Sequence, residues 1–437
     1  MNQHLLVGVG REIVTPPIGG LLMGYSPPRA SESVNDDIHI TAFAFEYNGV
    51  RSLIASAELC SLRGIQIKDI LEAVSESSGI PVGRIILSTV HTHSAPYTLV
   101  SPDERPNYIY DQFIPSARKA ALDAVNSLRP AVMGVGTTQS DVGVNRRVLQ
   151  EDGTITHGQD PTGIYDPTMT IISFREPDGT AIGNLIHYGA HNTASGINTE
   201  ITRDWCGVAI DRLEELSGGV TAFFNGGGGD CGPRLPNGRT TGTLKEALEL
   251  GGRAASDAVR AWRSITEWRE VDMHVLTDNI TLPLRPFPPL EEMEAKLAAM
   301  GDPSKLTGLR VSAHRNLIQR IEYIRSGAIP PTTFDILTPA IAVGPVVFLP
   351  IPFEPFSIIP LRIKQYSPYP YTVSIGYANG GYSYLPSMDQ ICRGGYEVWM
   401  FTSMNLVPFG DESEQYFVTG ATRMIRELYQ KTHGDSL

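Results

Sequence analysis

Apolar residues along this chain follow two periods. Runs with β-branched or alternating apolar character recur at LLVGVGREIV, IHITAFAFEY, SLIASAE, RIILSTV, MTIISFRE, AIGNLIHYG, TAFFNGG, MHVLTDNITL, ILTPAIAV, VVFLPIPFE and YTVSIGYAN, and predict strands. Between them, apolar residues at helical spacing predict helices over 66–78, 112–128, 205–217, 242–263, 290–300, 310–326 and 414–430. This alternation points to an α/β protein with mixed β-sheets flanked by helices. No repeat or low-complexity tract divides the chain, so 1–437 reads as a single domain, with the charged, proline-bordered segment 286–335 as a helical insertion.

Composition removes several alternatives. The 437 residues are 41% hydrophobic, enough for a large core, and the net charge of −12 comes without any Lys/Arg cluster. The cationic footprint that a phosphate backbone requires is missing, which excludes nucleic acid as a partner. The longest apolar stretch, TPAIAVGPVVFLPIPF (338–353), is interrupted by four prolines and reads as buried strands, not as a membrane helix. The opening MNQHLLVGVGREIVTPP has no basic region followed by a long apolar one. The four cysteines (Cys60, Cys206, Cys231, Cys392) are scattered without a CxxC. These features predict a cytoplasmic protein with reduced thiols and no stable membrane association.

Ionisable residues collect where the strand-like runs stop. RIILSTV ends at His91 and His93, which would share one face of an extended chain. GNLIHYG leads to His191 in AHNTASG, TAFFN to the loop GGGGDCGPR (226–234), VVFLPIP to Glu354, and YTVSIGYANGG to Tyr382 and Tyr384. Loops after strands are where an α/β sheet presents chemistry to a cleft. Two histidines, a glutamate and a further oxygen are suitable donors for a catalytic zinc. Each residue also has a plainer reading. A histidine can be hydrogen-bonded in a core, and Glu354 before Pro355 can sit at a helix start. The Gly-rich loop lacks the GK[ST] of a phosphate loop and can be a turn or an anion nest. Cys231 can be an inert buried thiol or a nucleophile paired with a histidine.

Taken in order, these segments resemble the catalytic domain of the neutral (non-lysosomal) ceramidase family. GVGREIVTPPIGGLLMGYS, STVHTHSAP, GAHNTASG with TRDWCG, FFNGGGGDCGPR, IPFEPFSIIPLRI and NGGYSYLPS each look like a family segment, from about Val7 to the C-terminal helix. The resemblance implies one Zn2+ per chain, held by His91, His191, Glu354 and Tyr384. It implies His93, Arg146 (in GVNRR) and Tyr396 (in GGYE) as catalytic residues, and Gly229, Asp230 and Cys231 as a substrate-binding loop. The implied activity is hydrolysis of a non-peptide amide through a metal-activated water. The same centre acting on an ester, lactone or sugar-derived bond is an alternative, as is a metal- or ligand-binding protein without turnover. The sequence is expected to lack the β-sandwich domain that follows the catalytic one in the family, and it places Gly232 where the family has serine. Both departures point to a small soluble amide in place of ceramide. The expected partner is therefore a small-molecule substrate, with homo-oligomer formation left open and loops 96–106 and 286–335 forming the pocket walls.

Overall fold

The computed structural model describes residues 4–100, 103–306, 309–404 and 407–434. Three sheets carry the architecture. The first runs in the order Ile85–Thr89, Val50–Ala57, His39–Tyr47, Leu6–Ile13 and Arg129–Pro130. The second runs Val220–Asn225, Ala181–Tyr188, Thr168–Arg175 and Val132–Gln139, and the third Met273–Pro283, Thr333–Val343, Val346–Pro350 and Tyr371–Ile375. Alternation along the strands assigns their faces. Ala42 and Ala44 turn toward the helices Ile65–Ser78 and Ile114–Asn126, whereas Phe43 and Phe45 join a core to which all three sheets contribute. Phe174 and Phe224 of the second sheet and Phe348 and Ile375 of the third complete that shared core. The outer faces of the second and third sheets are covered by Trp205–Ser217 with Leu244–Arg263, and by Ile358–Tyr366 with Ser413–His433.

Each sheet is antiparallel except for one parallel pair, and each parallel pair is joined through a helix. Val50–Ala57 pairs with Ile85–Thr89 across helix Ile65–Ser78, and Ala181–Tyr188 with Val220–Asn225 across Trp205–Ser217. Val346–Pro350 pairs with Tyr371–Ile375 across Ile358–Tyr366. A parallel pair needs such a crossover. The consequence is that both strands of each pair deliver their C-terminal ends to the same edge of the sheet.

Segment 286–335 follows strand Met273–Pro283 and ends within its antiparallel partner Thr333–Val343, so the insertion closes at 332 and residues 333–335 belong to the sheet. The insertion carries the helices Leu290–Ala299 and Leu309–Arg325, with a small apolar cluster of Met293, Leu317 and Ile321. Residues 307–308 of that segment, and 101–102 of the loop 96–106, lie outside the described residues. Among the described residues, no helix is long and apolar enough to cross a membrane.

Candidate metal centre and active site

The C-terminal ends of the three parallel pairs meet at one point. The first strand-to-loop transition carries His91, the second His191 and the third Glu354, and all three residues are buried. The Nε2 atoms of His91 and His191 each lie 3.4 Å from Oε2 of Glu354.

Backbone carbonyls fix the protons of both imidazoles. Nδ1 of His91 is 2.8 Å from the carbonyl oxygen of Cys60, and Nδ1 of His191 is 2.5 Å from that of Gly228. A carbonyl only accepts, so each Nδ1 carries the proton and each Nε2 presents a lone pair. Burial pushes His91 below the ordinary imidazole range and His191 down to about 3. For Glu354, burial acts to raise the carboxyl, but the two histidines draw it down to about 2. Three lone-pair donors therefore face one another in a buried space, and His191 Nε2 and Glu354 Oε2 have no hydrogen-bond partner. Buried acceptors so arranged repel unless a cation lies between them. Zinc–nitrogen bonds of ~2.0–2.1 Å place tetrahedral ligand atoms roughly 3.3 Å apart, close to the separations seen. The donor set fits a divalent metal.

Tyr384 stands beside this trio. It pairs in register with Glu354 in a two-stranded parallel bridge, and its ring lies parallel to that of His191 at 6.4 Å. Its hydroxyl accepts from Nη2 of Arg146 at 2.9 Å. Glu354 is thus a bridge residue, with helix Ile358–Tyr366 starting four residues later, so the helix-start reading of Glu354–Pro355 does not hold.

His93 reaches the centre by a route different from the expected one. The strand stops at Thr89, and His91 has φ of 68°, so the HTH segment is kinked and not extended. The kink sets the two rings 4.8 Å apart and nearly perpendicular, with Nε2 of His93 3.1 Å from Nε2 of His91. Burial and the neighbouring His91 and His191 hold His93 well below the ordinary range. Gly24, in MGY, makes room for it, since a Cβ there would fall 2.4 Å from His93 Cγ. Tyr25 meets the His93 ring edge-on at 5.1 Å, and Arg29 donates to the His93 carbonyl.

The remaining expected residues separate into two groups. Arg146 is buried against the centre, and Tyr396 is half-exposed at its edge, with its ring edge-on to Tyr384 at 5.9 Å. The Gly-rich loop lies beneath. Gly228 supplies the carbonyl for His191, and Gly229 donates to the carbonyl of Pro355 at 2.8 Å. Asp230 accepts from the Ser357 amide and hydroxyl, both at 2.7 Å, and Cys231 is fully buried, its thiol pushed up by burial. Tyr382 packs with Phe334, Phe353 and Phe409, away from the trio.

The sequence assigned no role to four further contributors. Tyr377 stacks on His91 at 4.4 Å, and its buried hydroxyl has no partner. Cys60 acts through its carbonyl, which no side-chain pattern reveals. Asp204, at φ 62°, accepts from the amides of Ala194, Ser195 and Trp205 and so pins the loop carrying His191. Glu397 is fully buried and holds Arg146; the only signal for it was its place next to Tyr396.

A helix-clad α/β protein in which three sheets converge on a buried His–His–Glu centre is the class that fold and site define. No family model and no curated protein matches the sequence. Among solved structures, the chain is similar to a ceramidase complexed with C2, at 17% identity and TM-score 0.73, over 98% of this chain and 76% of that one. It is equally similar to the neutral ceramidase from Pseudomonas aeruginosa, at 20% identity and TM-score 0.73, over 99% of this chain and 75% of that one. The fold is that of a neutral-ceramidase-like catalytic domain, as the sequence segments led one to expect.

Proposed function

We propose that this chain is a metal-dependent hydrolase that cleaves a non-peptide amide bond of a small soluble substrate. The observation that carries the proposal is the set of unpartnered lone pairs on His191 and Glu354, set against His91 in a buried space. His91, His191, Glu354 and Tyr384 are the residues that would hold the ion, taken as one zinc per chain. A zinc ion held there would supply Lewis acidity toward a carbonyl oxygen and would activate water near neutral pH.

The chain's own residues supply the rest. His93 sits against His91 with its Nδ1 buried and unpartnered, a position from which an imidazole can take a proton from water and return it to a leaving amine. Arg146 brings a fixed positive charge to the side of the centre where an oxyanion would develop, and Tyr396 brings a hydroxyl at the open edge. The loop Gly229, Asp230 and Cys231 is taken as the substrate-binding loop, and it also braces the ligand segments: Gly229 donates to the Pro355 carbonyl, Asp230 accepts from Ser357, and the Cys231 carbonyl accepts from the His191 amide. At Gly232 a Cβ would fall 2.6 Å from Cβ of Thr240, so this position has no room for the serine expected from the resemblance. That loss of a hydroxyl favours a small amide over ceramide.

The test is turnover on a panel of short N-acyl amides, the matching esters and lactones, and a short-chain ceramide, before and after chelation. Chelator-sensitive release of amine from the N-acyl amides is expected. Release from the esters or lactones alone would move the assignment to those bonds, and turnover untouched by chelation would overturn metal dependence.

A further inference from the structure

One fully buried carboxylate organises the side of the centre that the metal ligands do not. Glu397 has a side chain with no exposure, yet it meets three cationic or potentially cationic groups. Its Oε1 accepts from Nε of Arg146 at 2.9 Å and lies 3.0 Å from Nε2 of His157; its Oε2 accepts from Nη1 of Arg147 at 2.5 Å. Arg147 is tied down independently, by the carbonyl of Gly394 and the side chain of Gln390. For Arg146 the partners other than Glu397 lie at the centre itself: Nη2 donates to Tyr384, and the second carboxylate acting on its charge is Glu354.

From this geometry we infer that Glu397 is a positioning residue for the metal centre, holding Arg146 so that its guanidinium is presented to Tyr384. The inference rests on the proposed ligand set. A guanidinium offers a rigid planar fork, so fixing its Nε edge on Glu397 fixes the direction of Nη2. Removing the carboxylate charge leaves Arg146 as a buried cation short of a counter-charge. Arg146 would then shift from its place, and Tyr384 would lose the hydrogen bond that orients its hydroxyl at the centre.

The inference is tested by zinc affinity, measured by competition with a chromophoric chelator, for wild type, Glu397→Gln, Tyr384→Phe and the double variant. Glu397→Gln is expected to weaken zinc binding by about tenfold or more, the usual effect of losing a residue that orients a ligand. In the Tyr384→Phe background the same substitution is expected to cost much less, because its route to the metal has been removed. An unchanged affinity, or an equal loss in both backgrounds, would overturn the inference. Should Glu397→Gln not fold, Arg146→Lys replaces it. Lysine keeps the charge but cannot bond both Glu397 and Tyr384 in a fixed direction, so the same weakening and the same dependence on Tyr384 are expected. His91→Ala separates the two claims: if it leaves zinc affinity intact, the ligand set itself is wrong and the role of Glu397 falls with it. If it abolishes binding while Glu397→Gln does not weaken it, only the role of Glu397 falls.

Discussion

At the residue scale, the centre is defined by where protons are held. The HTH, AHN and PFE segments disclosed the ligand types, but the carbonyls of Cys60 and Gly228 that orient both imidazoles were invisible, because every residue has a carbonyl. Tyr377 was unreadable for a similar reason: a tyrosine after a strand is ordinary until its ring is seen on His91. Asp230 illustrates how a buried acid behaves when its partners are neutral. Burial raises its carboxyl from 3.8 to about 6, although the Ser357 amide and hydroxyl act to lower it. The folded state therefore holds this proton more tightly than the unfolded chain. The stability it contributes is present below about pH 4 and lost as pH rises through about 6. Asp230→Asn cannot titrate. Its stability relative to wild type should improve between about pH 4 and pH 7, by up to roughly 3 kcal/mol, in denaturant unfolding at the two pH values. A difference independent of pH would show that Asp230 is ionised in the fold at an ordinary value.

At the scale of elements, long periodic segments were legible and short or polar ones were not. Helices expected over 66–78 and 205–217 appear as Ile65–Ser78 and Trp205–Ser217. Strands Val132–Gln139, Gly143–Leu149 and Ile155–Asp160 escaped notice. The first is interrupted by glycines, the second buries two arginines, and the third is polar. Helix Ile358–Tyr366 was obscured by the proline at its third position, which is tolerated in a first turn. Contact between elements also explains the Gly-rich loop. A Cβ on Gly229 would fall 2.4 Å from the carbonyl oxygen of Glu354, so the loop can pass under this ligand only without a side chain. Gly229→Ala should accordingly weaken zinc binding by about tenfold or more without removing any ligand, in the same chelator competition. Wild-type affinity in a folded Gly229→Ala protein would mean that the loop does not set the position of Glu354.

At the scale of the whole molecule, three parallel strand pairs, one per sheet, direct their C-terminal ends to a shared edge, and each sends a ligand there. The sequence carried no internal repeat, and this threefold use of one connection emerges only from the pairing. An ion at that edge would join all three sheets. Ligand binding to the folded state alone adds stability that grows with ligand concentration, about 2.7 kcal/mol at a hundredfold excess over the dissociation constant. Chelation should therefore lower the Tm of wild type by several degrees and leave that of His191→Ala unmoved. Equal shifts in both proteins would place the chelator's effect elsewhere.

The central claim is that His91, His191 and Glu354 bind a metal ion. It is tested most directly by metal content, measured by mass spectrometry on purified wild type and on His91→Ala, His191→Ala and Glu354→Ala. The account predicts about one zinc per chain in wild type and its loss in each folded variant. A metal-free wild type after zinc supplementation, or variants that keep full occupancy, would contradict it.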